Sequence, residues 1–134
     1  MKNGYLFTDG AARGNPGPAG LGYVLTDSEG KIVFEGYRYL GTKTNNQAEY
    51  LALIDGLKKA LELSYEELNI NLDSELAVKQ VKGEYRVKNE GIKPLYKEVK
   101  ALLDEFQGYN MKHIVRGKNK AADKLANRAI DEAF

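Results

Sequence analysis

The sequence predicts a mixed α/β fold, in which an antiparallel meander is extended through helical crossovers. Residues 4–40 hold three segments with the alternating pattern of strands, and the turn at 27–30 is short enough for a hairpin. From Asn46 the apolar residues recur at helical spacing, and strand-like segments then alternate with helices. A meander followed by such alternation is typical of a mixed sheet with helices packed on it.

Glycine-rich and turn-forming residues bound the three strands of the meander. The first strand, Tyr5–Ala12, runs into a stretch rich in glycine and proline, and the second, Leu21–Thr26, follows that stretch. The third strand, Lys31–Leu40, begins directly after Gly30 and alternates in polarity. We therefore predict three consecutive antiparallel strands.

The rest of the chain predicts four helices and two strands. Asn46–Leu63 is the first helix, which Thr44, Asn45 or Asn46 could cap. Leucine and isoleucine alternate with polar residues over 68–73, which predicts the fourth strand. The remaining elements are a short helix at Ser74–Val81 that Gly83 ends, a helix at Pro94–Phe106, a strand at Met111–Val115 and a helix at Ala121–Phe134. The predicted order is βββαβααβα.

The composition is that of an ordinary globular domain. The chain has 134 residues, 43% of them hydrophobic, which predicts a single domain over residues 1–134 with its own core. The absence of cysteine excludes disulfides and thiolate metal sites and fits a reducing compartment. A net charge of +1 gives no overall basic field, so a nucleic-acid partner would need basic residues placed locally. With no long apolar run and no signal peptide, we expect a cytoplasmic protein. We also expect it to be a monomer.

Asp9 is the most informative residue, because it lies within the first predicted strand. It shares a strand face with Tyr5 and Phe7, and we expect that face to point into the core. Burial of an unpaired carboxylate is costly, so Asp9 needs a metal ion, a cation or a set of hydrogen-bond donors beside it.

Three further acids lie where strands end or helices begin. Glu49 and Asp123 lie in the first turns of the first and last helices, and Asp73 lies between the fourth strand and the next helix. Each has a simple structural explanation on its own, since acids in a first turn complement the helix dipole and aspartate caps helices.

Taken together, these segments resemble type 1 ribonuclease H, and the resemblance covers essentially the whole chain. It rests on four segments in this order: Thr8-Asp9-Gly10 with Gly14-Asn15-Pro16-Gly17, Thr44-Asn45-Asn46-Gln47-Ala48-Glu49, Asp73-Ser74, and Asn119-Lys120-Ala121-Ala122-Asp123. The resemblance implies a ribonuclease H-like fold, with a five-stranded mixed sheet in the order 3-2-1-4-5 flanked by helices. It also implies endonucleolytic cleavage of the RNA strand of RNA–DNA hybrids by two metal ions.

The same resemblance implies the residues of a metal site. Asp9, Glu49, Asp73 and Asp123 match the family's four catalytic, metal-binding acids, with Asp9 bridging two Mg²⁺ ions and Mn²⁺ as a substitute. Glu49 and Asp73 would complete one site and Asp123 the other. Oxygen ligands of this kind are those that Mg²⁺ prefers.

Contacts to the RNA–DNA hybrid are implied at two segments near these acids. Gly10 would let the backbone approach the nucleic acid, and Asn15, Asn45 and Asn46, with Thr44 beside them, match family contacts to the hybrid. An amide both donates and accepts hydrogen bonds, which suits a ribose 2′-OH. Glu75 stands where relatives carry a glutamine that contacts RNA. The alternative is that the asparagines only form a turn and a helix start.

The chain also departs from many members of the family. Those members carry a histidine in the loop before the last acid, whereas His113, the one histidine here, falls inside the predicted fifth strand, where we expect a structural or surface role. The segment Lys79–Lys97 is too short for the extra helix of the basic protrusion that some members have. It still carries six basic residues against two acids, which suits either a reduced phosphate-binding surface or a solvated helix face.

Other functions stay open at this point. The chain could be a broader nuclease that also cuts double-stranded RNA, a hybrid-binding module without catalysis, or a structural domain. The complete set of four acids argues against a binding module, which would have no need for their mutual repulsion.

Overall fold

A computed structural model describes residues 2–134 and contains the predicted elements in the predicted order. The strands are β1 (Asn3–Ala12), β2 (Gly17–Asp27), β3 (Ile32–Lys43), β4 (Glu67–Leu72) and β5 (Gly108–His113). The helices are α1 (Asn45–Glu62), α2 (Glu75–Val81), α3 (Lys93–Leu103) and α4 (Lys120–Glu132). A short 3₁₀ turn at Arg116–Lys118, which the sequence pattern did not predict, precedes α4.

The five strands form one mixed sheet in the order β3-β2-β1-β4-β5. The meander β1–β2–β3 is antiparallel, while β4 pairs with β1 and β5 pairs with β4 in parallel. The predicted fold class is therefore confirmed, and so is the strand order that the family resemblance implied. In this topology the carboxyl ends of β1 and β4 lie side by side, which places Asp9 near Asp73.

Several element boundaries differ from the prediction. β2 begins four residues earlier than expected, at Gly17, and β3 extends three residues further, to Lys43, because the two strands pair with each other there. β5 was expected at 111–115 but runs from Gly108 to His113, where its parallel register with β4 ends. α3 was expected to reach Phe106 but ends at Leu103. Phe106 is buried all the same, because the turn after the helix carries it into the core.

The faces of β1 are the reverse of the expectation. Leu6 and Thr8 are buried and pack against Gly56 of α1, whereas Tyr5 is 38% exposed. The prediction that Asp9 shares the core-facing side of β1 was therefore wrong: the main core lies between the sheet and α1–α3. Asp9 is nevertheless only 5% exposed, because α4 covers the second face of the sheet at this end.

Two glycines of β2 let α4 come close to that second face. A Cβ atom on Gly20 or Gly22 would lie 2.5 Å from a carbonyl oxygen of α4, that of Ala126 or Ala122. The alanines on this side of α4 are buried. Since Gly22 is the register partner of Asp9 across β1 and β2, this close packing also brings the first turn of α4 to Asp9.

The connection between α2 and α3 agrees with a further expectation. The described segment 82–92, between α2 and α3, contains no helix, in agreement with the missing protrusion helix. Within residues 2–134, none of the helices has the length and apolar character that crossing a membrane requires.

Candidate active site

Close contact between β1 and α1 brings Asp9 and Glu49 together. A Cβ atom on Gly10 would clash with the main chain of Ala48 and Glu49, so glycine at this position lets the start of α1 touch the strand. The Gly10 N–H donates to Glu49 Oε1 at 2.8 Å and orients that carboxylate. Gly10 is thus required by packing, and its contact with nucleic acid stays a prediction.

Asp73 joins these two acids from the end of β4. One carboxylate oxygen each of Asp9, Glu49 and Asp73 lies within 4.8 Å of the others. Asp73 is not needed as the cap of α2, because the Ser74 hydroxyl fills that role by accepting from the Ala77 N–H at 3.2 Å. The structure therefore groups three of the four acids that the sequence singled out.

Asp123 borders the same site from the first turn of α4. It lies within hydrogen-bonding reach of Asp9, and both acids line an open cavity of about 300 Å³. Its Oδ1 atom accepts a hydrogen bond from Asn127 Nδ2 at 3.3 Å. Asp123 thus faces Asp9 from the opposite side of the sheet to Glu49, outside the group of three.

Burial and mutual repulsion perturb the central pair. Burial raises the pKa of Asp9 far above its usual value, and the neighbouring Glu49 and Asp73 raise it further. Burial also raises the pKa of Glu49, although the neighbouring Asp9 carboxyl group and a hydrogen bond from the Gly10 N–H oppose that effect. The acids are therefore held together at a cost in free energy that a bound cation would offset.

These residues fit a divalent metal ion. Glu49 Oε2 is buried and has no hydrogen-bond partner among the described residues, whereas Oε1 is held by Gly10. A buried carboxylate oxygen without a partner is costly unless a ligand completes its environment. Converging carboxylate oxygens of this kind suit a hard cation such as Mg²⁺.

Asparagines connect the glycine-rich turn, the end of β1 and the start of α1. Asn45 N–H donates to Asn15 Oδ1, and Asn45 Oδ1 accepts from the Ala12 N–H, each at 3.0 Å. Both residues are exposed, and their Nδ2 groups make no hydrogen bond to another described residue. Their amide N–H groups thus remain available to an external acceptor, and Asn45 lines the cavity that holds Asp9 and Asp123.

The other predicted substrate-binding residues have local roles. Thr44 caps α1 in a reciprocal capping box with Gln47, which settles which of the three candidates is the cap. Asn46 is half-buried, and its side chain makes no hydrogen bond within the described residues. Glu75 is exposed and forms an ion pair with Lys79 at 3.1 Å. None of these observations tests a contact with nucleic acid.

His113 is an exposed residue at the end of β5, opposite Leu72 in the register. It is absent from the lining of the cavity that holds Asp9 and Asp123. This position agrees with the expected surface role.

Sequence reasoning missed two residues that line the same cavity, Arg116 and Asn127. The charge of Arg116 lowers the pKa of Glu49, and Asn127 orients Asp123. Spacing could have found Asn127, which lies one helical turn after Asp123. Nothing in the pattern around Arg116 distinguishes it from other basic loop residues.

The basic segment after α2 forms a groove. An open cavity of about 550 Å³ is lined by residues 83–87 and by Lys93, Tyr96 and Lys97 of α3. Arg86 and the two lysines contribute positive charge, and Glu84 contributes a negative one. The groove is therefore a surface with net positive charge that also presents tyrosine side chains.

Sequence comparisons match the chain to known proteins over nearly its full length. A family model described as reverse transcriptase-like matches residues 7–129. Ribonuclease HI of Halobacterium salinarum is 40% identical over 96% of this chain, which spans 65% of that relative's length. Ribonuclease H of Coxiella burnetii is 34% identical, with 97% of this chain and 91% of the relative covered. The chain thus spans less than two thirds of the halobacterial relative.

Solved structures agree with the sequence matches. The crystal structure of RNase H1 from Halobacterium salinarum superimposes with a TM-score of 0.95 at 38% identity, covering 97% of this chain and 98% of that one. The structure of LC11-RNase H1 in complex with an RNA/DNA hybrid has a TM-score of 0.92 at 41% identity, with the same two coverages of 97% and 98%.

Proposed function

The chain belongs to the type 1 ribonuclease H family, and we propose that it is an endonuclease that hydrolyses the RNA strand of RNA–DNA hybrids. The observation that carries the proposal is the convergence of Asp9, Glu49 and Asp73, with the buried Glu49 Oε2 left without a partner among the described residues. A structural domain has no use for this costly arrangement. We further propose that residues 1–134 act as one ribonuclease H domain.

The four acids would hold two divalent ions, with Mg²⁺ as the natural ion and Mn²⁺ as a substitute. Asp9, Glu49 and Asp73 would hold one ion, and Asp9 with Asp123 the second. When bound, such a pair supplies an activated water and stabilises the departing 3′ oxygen of the cleaved phosphodiester. Glu49 is oriented for this by the Gly10 N–H, and Asp123 by Asn127.

Hybrid recognition would use the rim of the cavity. Asn45 lines the cavity with Asp9 and Asp123, and Asn15 accepts a hydrogen bond from the Asn45 N–H. The Nδ2 groups of both residues would donate to 2′-OH or base acceptors in the minor groove. Because a deoxyribose offers no 2′-OH, such a donor would be left unpaired against DNA. The basic groove beside α3 would add contacts to phosphate, and these would be salt-dependent.

Cleavage assays on matched duplexes test the proposal. RNA–DNA, RNA–RNA and DNA–DNA duplexes of one sequence are incubated with Mg²⁺, with Mn²⁺ and with excess chelator. We expect cleavage of the RNA strand of the hybrid, and we expect it to stop in chelator. Undiminished activity in chelator contradicts the metal site, and equal cleavage of RNA–RNA supports the broader nuclease instead.

Asp9→Asn provides the matching variant, because it keeps the shape of the side chain and removes its charge. We expect turnover to be nearly abolished while hybrid binding survives. Asp104→Asn, which neutralises an exposed acid at the end of α3, is the charge control. Activity of Asp9→Asn within about threefold of wild type, a difference of roughly 0.7 kcal/mol in the barrier, would be too small for a metal ligand.

A further inference from the structure

Asn119 stands at the cap position of α4 but does not cap the helix. An asparagine at this position ordinarily accepts a hydrogen bond from an N–H of the first turn. The Asn119 side chain makes no such bond, and it is only 1% exposed. Its amide must therefore serve another purpose inside the protein.

The amide of Asn119 instead joins the segments that carry the acids. Its Nδ2 donates to the Thr8 carbonyl oxygen at 2.8 Å and to Asp73 Oδ2 at 3.3 Å. Its main-chain carbonyl oxygen accepts from the Asp123 N–H at 3.1 Å. One residue thus touches β1 next to Asp9, the Asp73 carboxylate and the first turn of α4.

The two acceptors fix the orientation of this amide. Both the Thr8 carbonyl and the Asp73 carboxylate require an N–H group, so the amide nitrogen must face them. Its Oδ1 atom is then buried without a partner among the described residues, which costs free energy. A serine could cap the helix without that cost, so capping does not explain an asparagine here.

Asp73 and Glu49 are oriented in the same way. Asp73 Oδ2 accepts a hydrogen bond from Asn119 Nδ2, and Glu49 Oε1 accepts one from the Gly10 N–H. One oxygen of each also converges with Asp9. Since the three carboxylates repel one another, a neutral donor that holds Asp73 in place stabilises the converged arrangement.

We propose that Asn119 is a positioning residue that holds the Asp73 carboxylate beside Asp9 and couples α4 to that arrangement, so that the acids form one ion-binding cluster. The inference rests on the proposed function, because it assigns Asn119 a role toward the ions that those acids would bind. Partners that orient metal ligands typically affect metal affinity as well as activity.

Three variants test this role against capping and against general damage to the fold. Asn119→Ser keeps a good cap residue but removes the amide, and Asn119→Ala removes both. Asn71→Ser is the matched control. Asn71 is also buried, and its Nδ2 donates to the carbonyl oxygens of Leu6 in β1 and of Asn69, each at 3.4 Å, yet its side chain makes no hydrogen bond to any of the four acids.

Binding of Mn²⁺ alone to each free protein is measured by calorimetry, together with the unfolding midpoint in urea. Hybrid hydrolysis is then followed against Mg²⁺ concentration. For both Asn119 variants we expect Mn²⁺ to bind about tenfold or more weakly, with a matching rise in the Mg²⁺ requirement. The KM for hybrid at saturating Mg²⁺ should stay within about twofold of wild type. Asn71→Ser should lose stability but keep wild-type Mn²⁺ affinity.

The outcomes separate this inference from the proposed function. A wild-type protein that neither binds Mn²⁺ nor cuts hybrid overturns both. If the wild type is active but Asn119→Ser binds Mn²⁺ normally and only Asn119→Ala is impaired, Asn119 is a cap and the inference alone fails. Failure of Asn119→Ser to fold, or an equal loss of Mn²⁺ affinity in Asn71→Ser, shows a general structural role and also overturns it.

Discussion

Replacement of Asp9 by asparagine should make the metal-free protein more stable, and the gain should depend on pH. Asp9 has a folded-state pKa far above its ordinary value of 3.8, chiefly because it is buried. The folded protein therefore binds a proton that the unfolded chain releases above about pH 4. Stability is lost as pH rises from that point toward the folded-state pKa, and asparagine, which does not titrate, escapes the loss.

The size of the gain can be bounded. Between pH 3.8 and pH 7 a single site of this kind costs at most about 4 kcal/mol. Glu49 shares the same proton equilibrium, since its own pKa is raised by burial next to Asp9. We therefore expect Asp9→Asn to raise the free energy of unfolding at pH 7 by roughly half of this upper limit, about 2 kcal/mol. That gain corresponds to a rise in Tm of about 5–10 °C for a domain of this size.

The assay is urea unfolding of wild type, Asp9→Asn and the Asp104→Asn control at pH 3.5, 5.5 and 7.5 in chelator. The difference between Asp9→Asn and wild type should be near zero at pH 3.5 and largest at pH 7.5. Saturating Mg²⁺ should reduce it, because the ion stabilises only a wild-type cluster with its full charge. A difference that is constant with pH, or a destabilised variant at pH 7.5, would refute the account of Asp9 as a buried, repelled carboxylate.

Further substitutions probe residues outside the group of four acids. His113→Ala should leave turnover nearly unchanged, because the side chain is exposed at the end of β5; a large fall in turnover at an unchanged Tm would contradict this. Asn46→Ala should raise the KM for hybrid and leave Mn²⁺ affinity unchanged, as steady-state kinetics and calorimetry will show. An unchanged KM or a weakened Mn²⁺ affinity would contradict a role in hybrid binding. Arg86→Ala with Lys97→Ala should weaken hybrid binding and flatten its dependence on salt, by about one unit of slope for each phosphate that is no longer neutralised, as a salt titration will show. Arg116→Ala should raise the pKa of Glu49 and so weaken Mn²⁺ binding most at low pH; equal weakening at every pH would argue for a packing role.

The positions of the acids could be predicted from the sequence, whereas the packing of strands and helices around them could not. Asp9, Glu49 and Asp73 could be singled out because each lies in a strand, at the end of a strand or near the start of a helix, where local pattern defines its position along the element. The prediction that Glu49 lies in the first turn of α1 was wrong, because the helix begins at Asn45 and its first turn holds no acid. The side of β1 that faces the core could not be predicted in this way, because both faces of the strand are covered at the end that carries Asp9. The small residues that decide this, Gly20 and Gly22 of β2, fit a strand pattern poorly and give no sign of which helix packs on them.

The hydrogen bonds that orient the acids cannot be predicted from local sequence pattern, because they join residues far apart in the chain. Asn119 and Thr8 are separated by 111 positions, and Asn119 and Asp73 by 46, so neither pairing follows from the helix or strand period. From sequence alone an asparagine before a helix is a cap, and only the assembled sheet shows its amide turned away from the helix and into the cluster. The charges of a site of this kind are thus visible in the chain as isolated carboxylates. The donors that hold the carboxylates together against their repulsion can be identified only when the fold brings distant segments into contact. The Asn119 variants test whether such a donor affects metal binding.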